Sequence, residues 1–192
     1  MRFDERIEIE TQPGVYEPAE DSMLMIEALE VRPGEEVLEV GCGTGIIAIH
    51  CAKAGARVTA SDVSNKAIEC TRANAERNDL DITLVESDLL EKLDGEFEVI
   101  VFNPPYLPED EISDPSWTGG LSGLEMTLMF LEQCKRRLAP GGRVYIIVST
   151  LSESQKFELA ADEMGYDYEV AARRHVFFEE LIVYRLRMLT NG

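Results

Sequence analysis

Strand-like and helix-like patterns of apolar positions alternate along this chain from residue 35 onward, each run bounded by glycine, proline or charge. EEVLEV, residues 35–40, predicts a first strand, and the run from Ile46 to Ala54 predicts a helix stopped by Gly55. RVTASD, residues 57–62, gives a second strand; a helix from Asn65 to Asn78 follows, with Ser64 as its N-cap. DITLVES, residues 81–87, and FEVIVF, residues 97–102, predict the third and fourth strands. After a loop rich in Pro, Asp and Gly, a helix from Gly123 to Leu138 is expected to end at Ala139-Pro140-Gly141-Gly142, and RVYIIVS supplies a fifth strand. Residues 152–164 read as an amphipathic helix, and YDYEVAAR and FFEELIVYRLRM as a final antiparallel pair joined near His175 and Val176. Upstream, MLMIEAL predicts one more helix.

Strands alternating with helices build a mostly parallel sheet covered on both faces. The expected class is α/β, a Rossmann-like seven-stranded sheet with one antiparallel strand. A length of 192 residues fits one core, and no linker-like stretch divides it. Residues 1–192 are therefore expected to form a single domain, with 1–34 as an N-terminal flanking segment and helix. No apolar run could span a bilayer, and MRFDERIEIE has neither the basic start nor the continuous apolar stretch of a secretory signal, so a cytoplasmic location is expected.

Cys42, Cys51, Cys70 and Cys134 form no CxxC pair and read as small buried hydrophobes; His50 and His175 sit in apolar surroundings and read as packed structural residues. No metal is assigned. Charge alters the picture of partners: 37 acidic against 18 basic residues leave a net charge of -19, which opposes direct binding to nucleic acid and suits a basic protein partner.

Candidate chemistry lies at the strand ends. EVGCGTG places Glu39, Gly41, Gly43 and Gly45 between the first strand and its helix, where glycines let the backbone approach a nucleotide. Ile46 stands where a dinucleotide fingerprint needs glycine, which disfavours a phosphate-cradling oxidoreductase loop. Asp62 ends the second strand, from which a carboxylate can accept hydrogen bonds from both ribose hydroxyls, and Ser87-Asp88-Leu89 ends the third. In an open parallel sheet these ends border one crevice, so Gly41, Asp62, Asp88 and Asn103 are expected to converge. S-adenosyl-L-methionine carries a sulfonium cation and no phosphate, and a loop bordered by carboxylates suits it.

The fourth strand runs directly into Asn103-Pro104-Pro105-Tyr106. A planar amide or aromatic amine nitrogen is a poor nucleophile, and activating it requires holding both its hydrogens while the nitrogen faces a methyl donor. The Asn103 side-chain carbonyl can accept one hydrogen and the Pro104 backbone carbonyl the other, with the Pro-Pro step fixing an extended chain and Tyr106 stacking on the planar group. The same geometry serves the exocyclic amines of adenine and cytosine, and the pocket could also serve a lysine or small-molecule methyltransferase; the motif alone leaves these alternatives open.

With EVGCGTG, Asp62, SDL at 87–89 and FNPPY at 102–106 in this order, the chain resembles the HemK family of glutamine methyltransferases. VYEPAEDS (15–22) and SWTGGLSGLEMTLMFL (116–131) resemble its archaeal and eukaryotic branch. The resemblance implies a class I methyltransferase fold and methylation of the GGQ glutamine of the class 1 release factor in translation termination. It implies cofactor contacts from Tyr16, Ser22, Glu39, Gly41, Gly43, Gly45, Asp62, Asp88, Leu89 and Asn103, substrate contacts from Asn103 to Tyr106, and closure of the site by Tyr16 and Glu17. It further implies a small zinc-binding activator protein, for which the third strand, at an open sheet edge, offers a docking place. Bacterial members carry an additional N-terminal helical domain, whereas 34 residues precede the first strand here, so substrate recognition is expected to come from elsewhere.

Overall fold

A computed structural model of the chain describes residues 1–104, 124–150, 154–177 and 179–189. The elements run α1 (Glu20–Ala28), β1 (Glu36–Val40), α2 (Ile46–Lys53), β2 (Arg57–Asp62), α3 (Asn65–Arg77), β3 (Thr83–Glu86), β4 (Phe97–Phe102), α4 (Leu124–Cys134), β5 (Leu138–Ser149), α5 (Ser154–Glu163), β6 (Tyr166–Val176) and β7 (Glu179–Met188). The strands form one seven-stranded sheet in the order β3-β2-β1-β4-β5-β7-β6. Its neighbours are parallel except at β7, which runs antiparallel to both β5 and β6.

Side chains on successive strand residues point to opposite faces, and the apolar set divides accordingly. Leu38, Ile100, Ile146 and Tyr184 pack with Phe130 and Leu131 of α4 and Phe157 and Ala161 of α5. Val37, Val101, Ile147 and Val183 pack on the other face with Leu24 and Met25 of α1, Ile47 and Cys51 of α2 and Ile68 of α3. These central strands are apolar on both sides because both sides are covered. All four cysteines are free and buried, as their spacing implied. Among the described residues no helix is long and apolar enough to cross a membrane.

Three local expectations need correcting. The helix expected to run to Leu138 ends at Cys134, and Ala139-Pro140-Gly141-Gly142 lies within β5 instead. Phe97 N–H already donates to Arg137 O at 2.7 Å and Leu138 pairs with Phe97, so the chain has joined the sheet before the Pro-Gly-Gly step. The step is absorbed as an irregularity between the Phe97 and Val99 pairings. Ser64 occupies the N-cap position of α3, but its side chain makes no capping bond; the Asp62 carboxylate accepts from Ser64 N–H instead. His175 is exposed on β6, the other edge strand, rather than packed.

The segment before α1 is a strap laid over α3. Glu8 and Glu10, two apart on an extended chain, lie roughly 7 Å from each other, close to the rise of one i,i+4 step on a helix, about 6 Å. Asn78 and Asn74 sit at that helix spacing, and each side-chain amide exchanges a pair of bonds with the strap, Asn78 with Glu8 N and O and Asn74 with Glu10 N and O. Fully buried Asn74 also donates to Thr44 O at 2.9 Å, within the glycine turn.

Near its start the strap is fastened by His50. The His50 Nδ1 atom lies 2.7 Å from Ile46 O, so it carries the hydrogen, and Nε2 accepts from Asp4 N–H at 3.2 Å while Phe3 stacks on the ring. Burial pushes the imidazole below the ordinary histidine value of 6.5, against the opposing pull of the Ile46 bond and the Asp4 charge. A folded value below the unfolded one means that the unfolded chain takes the proton first as pH falls. Stability is therefore expected to drop on acidification through and below the ordinary histidine range, and thermal melts should show a smaller drop over that window in His50→Gln.

Candidate active site

At the carboxyl ends of β1 to β4 the strand order reverses about β1 and β4, which leaves a crevice above the sheet where open α/β folds bind ligands. A cavity of about 300 Å³ lies there. It is lined by Glu39, Gly41 and Gly43 from the β1–α2 turn, Asp62 from β2, Asp88 and Leu89 after β3, Asn103 and Pro104 after β4, and Tyr16 and Ser22 from the strap and α1. Sequence-distant positions thus meet at one cavity. Glu17, by contrast, is exposed. Pro105 and Tyr106, and the first half of the SWTGGLSGLEMTLMFL motif, lie outside the described residues; Met126, in its second half, reaches the cavity wall.

Gly45 does not line the cavity, although the glycine pattern placed it with the cofactor contacts. With φ at 78°, it is the left-handed residue from which α2 starts, and a Cβ there would come within 2.5 Å of Thr71 Cγ2. Glycine at this position lets α3 approach the turn. At Gly43, φ is 53° and a Cβ would meet nothing within 4 Å, so glycine keeps that backbone open to the cavity.

The carboxylates have different environments. Glu39 is buried and accepts from Ala48 N–H at 2.8 Å. Burial pushes its carboxyl well above the ordinary range; the Ala48 bond opposes this and the nearby Asp62 charge adds to it. Asp62 accepts from Gly43 N–H at 3.1 Å through one oxygen and from Ser64 N–H at 2.8 Å through the other. Burial raises its carboxyl as well, against the pull of the Ser64, Gly43 and Val63 amides. Two carboxyls that resist ionisation beside a mostly apolar cavity form an environment that a cation improves, since a positive charge stabilises their charged forms. Leu89, at φ 43°, is a non-glycine residue in the left-handed region, a strained conformation at the cavity wall.

The Asn103 side chain is held at one end only. Its Nδ2 donates to Asp21 Oδ2 at 3.0 Å, while Oδ1 is buried and has no hydrogen-bond partner among the described residues. Asp21 itself is buried and gathers several donors: Tyr16 O–H at 3.0 Å on Oδ2, and Ser22 N–H at 2.6 Å and O–H at 3.2 Å on Oδ1. Burial, then the Asp21 charge, pushes the Tyr16 phenol far up, so it remains a donor. In the sequence, Asp21 or Ser22 can serve both as the N-cap of the first helix and as a contact to the cofactor, and nothing there pairs Asp21 with Asn103. The helix begins one residue earlier, at Glu20 with Ala19 at the N-cap, and Asp21 instead meets a residue 82 positions away.

A buried carbonyl oxygen without a donor is costly, and it marks a place where a ligand N–H belongs. Residues 6–177 match the family model of the methyltransferase small domain. A relative from Methanocaldococcus jannaschii, named as a protein N5-glutamine methyltransferase, is 40% identical over 186 residues, 93% of this chain and 94% of the relative. The chain belongs to the HemK family of methyltransferases. This HemK-family chain is also 34% identical to the methyltransferase HEMK2 of Mus musculus, over 76% of this chain and 75% of that protein. Among solved structures it is similar to the E. cuniculi Mtq2-Trm112 complex, described as responsible for methylation of the eRF1 translation termination factor, with a TM-score of 0.76, 28% identity and coverage of 91% of this chain and 99% of that one. The class I methyltransferase fold expected from the motifs is the fold observed.

Proposed function

We propose that this HemK-family enzyme transfers a methyl group from S-adenosyl-L-methionine to the side-chain amide of the glutamine in the GGQ motif of a class 1 release factor. The observation that carries this reading is the Asn103 carboxamide, tethered through Nδ2 and presenting at the cavity a buried acceptor that has no partner among the described residues. The names of the relatives support the choice of a protein glutamine, and the excess of acidic residues disfavours a nucleic-acid substrate.

The cavity fits the cofactor. Asp62 would take the ribose hydroxyls, Glu39 would neighbour the cationic part, and Gly41, Gly43, Asp88, Leu89, Ser22 and Tyr16 would complete the wall. When bound, S-adenosyl-L-methionine supplies an electrophilic methyl group. The chain's own work is to hold the amide: Asn103 Oδ1 accepts from one N–H of the glutamine and the Pro104 carbonyl from the other, fixing the nitrogen in attacking orientation. Pro105 and Tyr106 complete the substrate grip in this reading. A neutral amide suits acceptors of this kind, whose role is to orient its two hydrogens.

The E. cuniculi relative is described in complex with Trm112. We extend this to a small zinc-binding activator docked at β3, a four-residue edge strand that pairs with β2 on one side. Action on a termination factor implies work in the cytoplasm. The test is transfer of labelled methyl to a GGQ-containing release factor, with and without the activator. Labelling is expected with the factor and is lost when its glutamine becomes asparagine; labelling of RNA or DNA instead would reverse the substrate assignment.

A further inference from the structure

A carboxamide has two faces that differ by one rotation, and only one is useful to a substrate NH2 group. Asn103 has an acceptor end and a donor end of nearly the same size, so packing alone selects between them weakly. Turned the wrong way, Nδ2 would confront the substrate's own hydrogens. Something in the protein must choose.

We infer that Asp21 is the positioning residue that makes this choice, by offering Asn103 a carboxylate oxygen with which only the NH2 end can bond. The inference rests on the reading above, in which Asn103 accepts from the substrate amide. Nδ2 lies 3.0 Å from Asp21 Oδ2, which leaves Oδ1 as the end without a partner among the described residues. Asp21 is in turn held by donors on both of its oxygens. Ser22 N–H and O–H fix Oδ1, and Tyr16 O–H fixes Oδ2. A carboxylate is the only side chain of this size that accepts at both ends, so it can satisfy Ser22 at one oxygen and still require a donor from Asn103 at the other.

Asp21→Asn reverses that logic at constant volume. Ser22 N–H, at 2.6 Å, still needs an acceptor, so the new side chain turns its oxygen toward Ser22 and its NH2 toward Asn103. Asn103 then turns to meet a donor with Oδ1, and its NH2 end faces the substrate. The double variant Asp21→Asn with Asn103→Asp restores an acceptor on both sides. The carboxylate then carried at position 103 can take a hydrogen from the amide at position 21 through one oxygen and the substrate hydrogen through the other.

Two measurements on the full chain test this. At saturating cofactor, Asp21→Asn is expected to lower kcat on the glutamine substrate by about 100-fold, and the double variant to recover about 10-fold of that loss. The second needs no substrate: the side-chain NH2 resonance of Asn103, assigned by its absence in Asn103→Asp, should exchange with solvent about 10-fold more slowly in the natural chain than in Asp21→Asn. Unchanged exchange, a double variant no better than Asp21→Asn, or a lower melting temperature with kcat per folded molecule intact would each overturn the role and leave Asp21 a residue of the helix start. If the natural chain labels no glutamine yet the exchange difference appears, the positioning role stands and the substrate reading falls.

Discussion

Asn103→Ala is expected to lower kcat for glutamine methylation by about a thousandfold, roughly 4 kcal/mol of barrier, while the chain folds and still binds cofactor. The size follows from what is lost. The alanine removes the side-chain acceptor that Asn103 presents to the substrate at the end of β4, so the amide loses the partner of one of its two hydrogens and its nitrogen samples orientations that do not face the methyl donor. It also leaves Asp21 Oδ2 without the Asn103 hydrogen, although Tyr16 O–H continues to supply that oxygen. Folding should be nearly unaffected, because the natural chain already buries an oxygen here that has no partner among the described residues, and the alanine relieves that burden. Single-turnover rates alongside calorimetric cofactor titration check the separation. A turnover number within threefold of the natural chain would remove Asn103 from the reaction.

Asp62→Asn is expected to weaken cofactor binding by about 100-fold, close to 3 kcal/mol, even though it changes a single atom. Asp62 uses both oxygens within the protein, one toward Gly43 N–H and one toward Ser64 N–H. Asparagine has a single acceptor, so one of these backbone donors must face an NH2 group, and either the glycine turn or the start of α3 shifts. The charge that would strengthen bonds from the ribose hydroxyls disappears as well. The effect should appear as a raised Kd in calorimetry, with kcat at saturating cofactor reduced far less. An unchanged Kd would exclude Asp62 from the cofactor site.

Much of this arrangement could be read before any coordinates. The division of Val37, Leu38, Val99, Ile100, Val101 and Ile146 between two faces follows from a period of two within runs apolar on both sides, and such runs occur where helices cover a parallel sheet. Glu39, Asp62, Asp88 and Asn103 could be grouped because each ends a strand, and parallel strand ends share a crevice. What could not be read depends on contacts between distant positions. Gly45 looks like any glycine of the loop until Thr71 is seen against it. Asp21 sits in an ordinary helix-start pattern, and only the meeting of α1 with the end of β4 gives it Asn103 as a partner. The end of α4 falls earlier than its local signals for a related reason: Pro140 and the glycines after it are strong breakers, but pairing with Phe97 draws the chain into the sheet before they act.

The two asparagines of α3 give the strap a property that a greasy seal would lack. Its anchorage at Glu8 and Glu10 lies upstream of the stretch from Gly14 to Pro18 that borders the cavity, and Asn74 binds that anchorage to the turn carrying Thr44. Cohesion and selectivity are therefore written in separate parts of the strap. Residues facing the ligand can drift or be redesigned without loosening the clasp, whereas a change at Asn74 disturbs the floor and the roof of the chamber together.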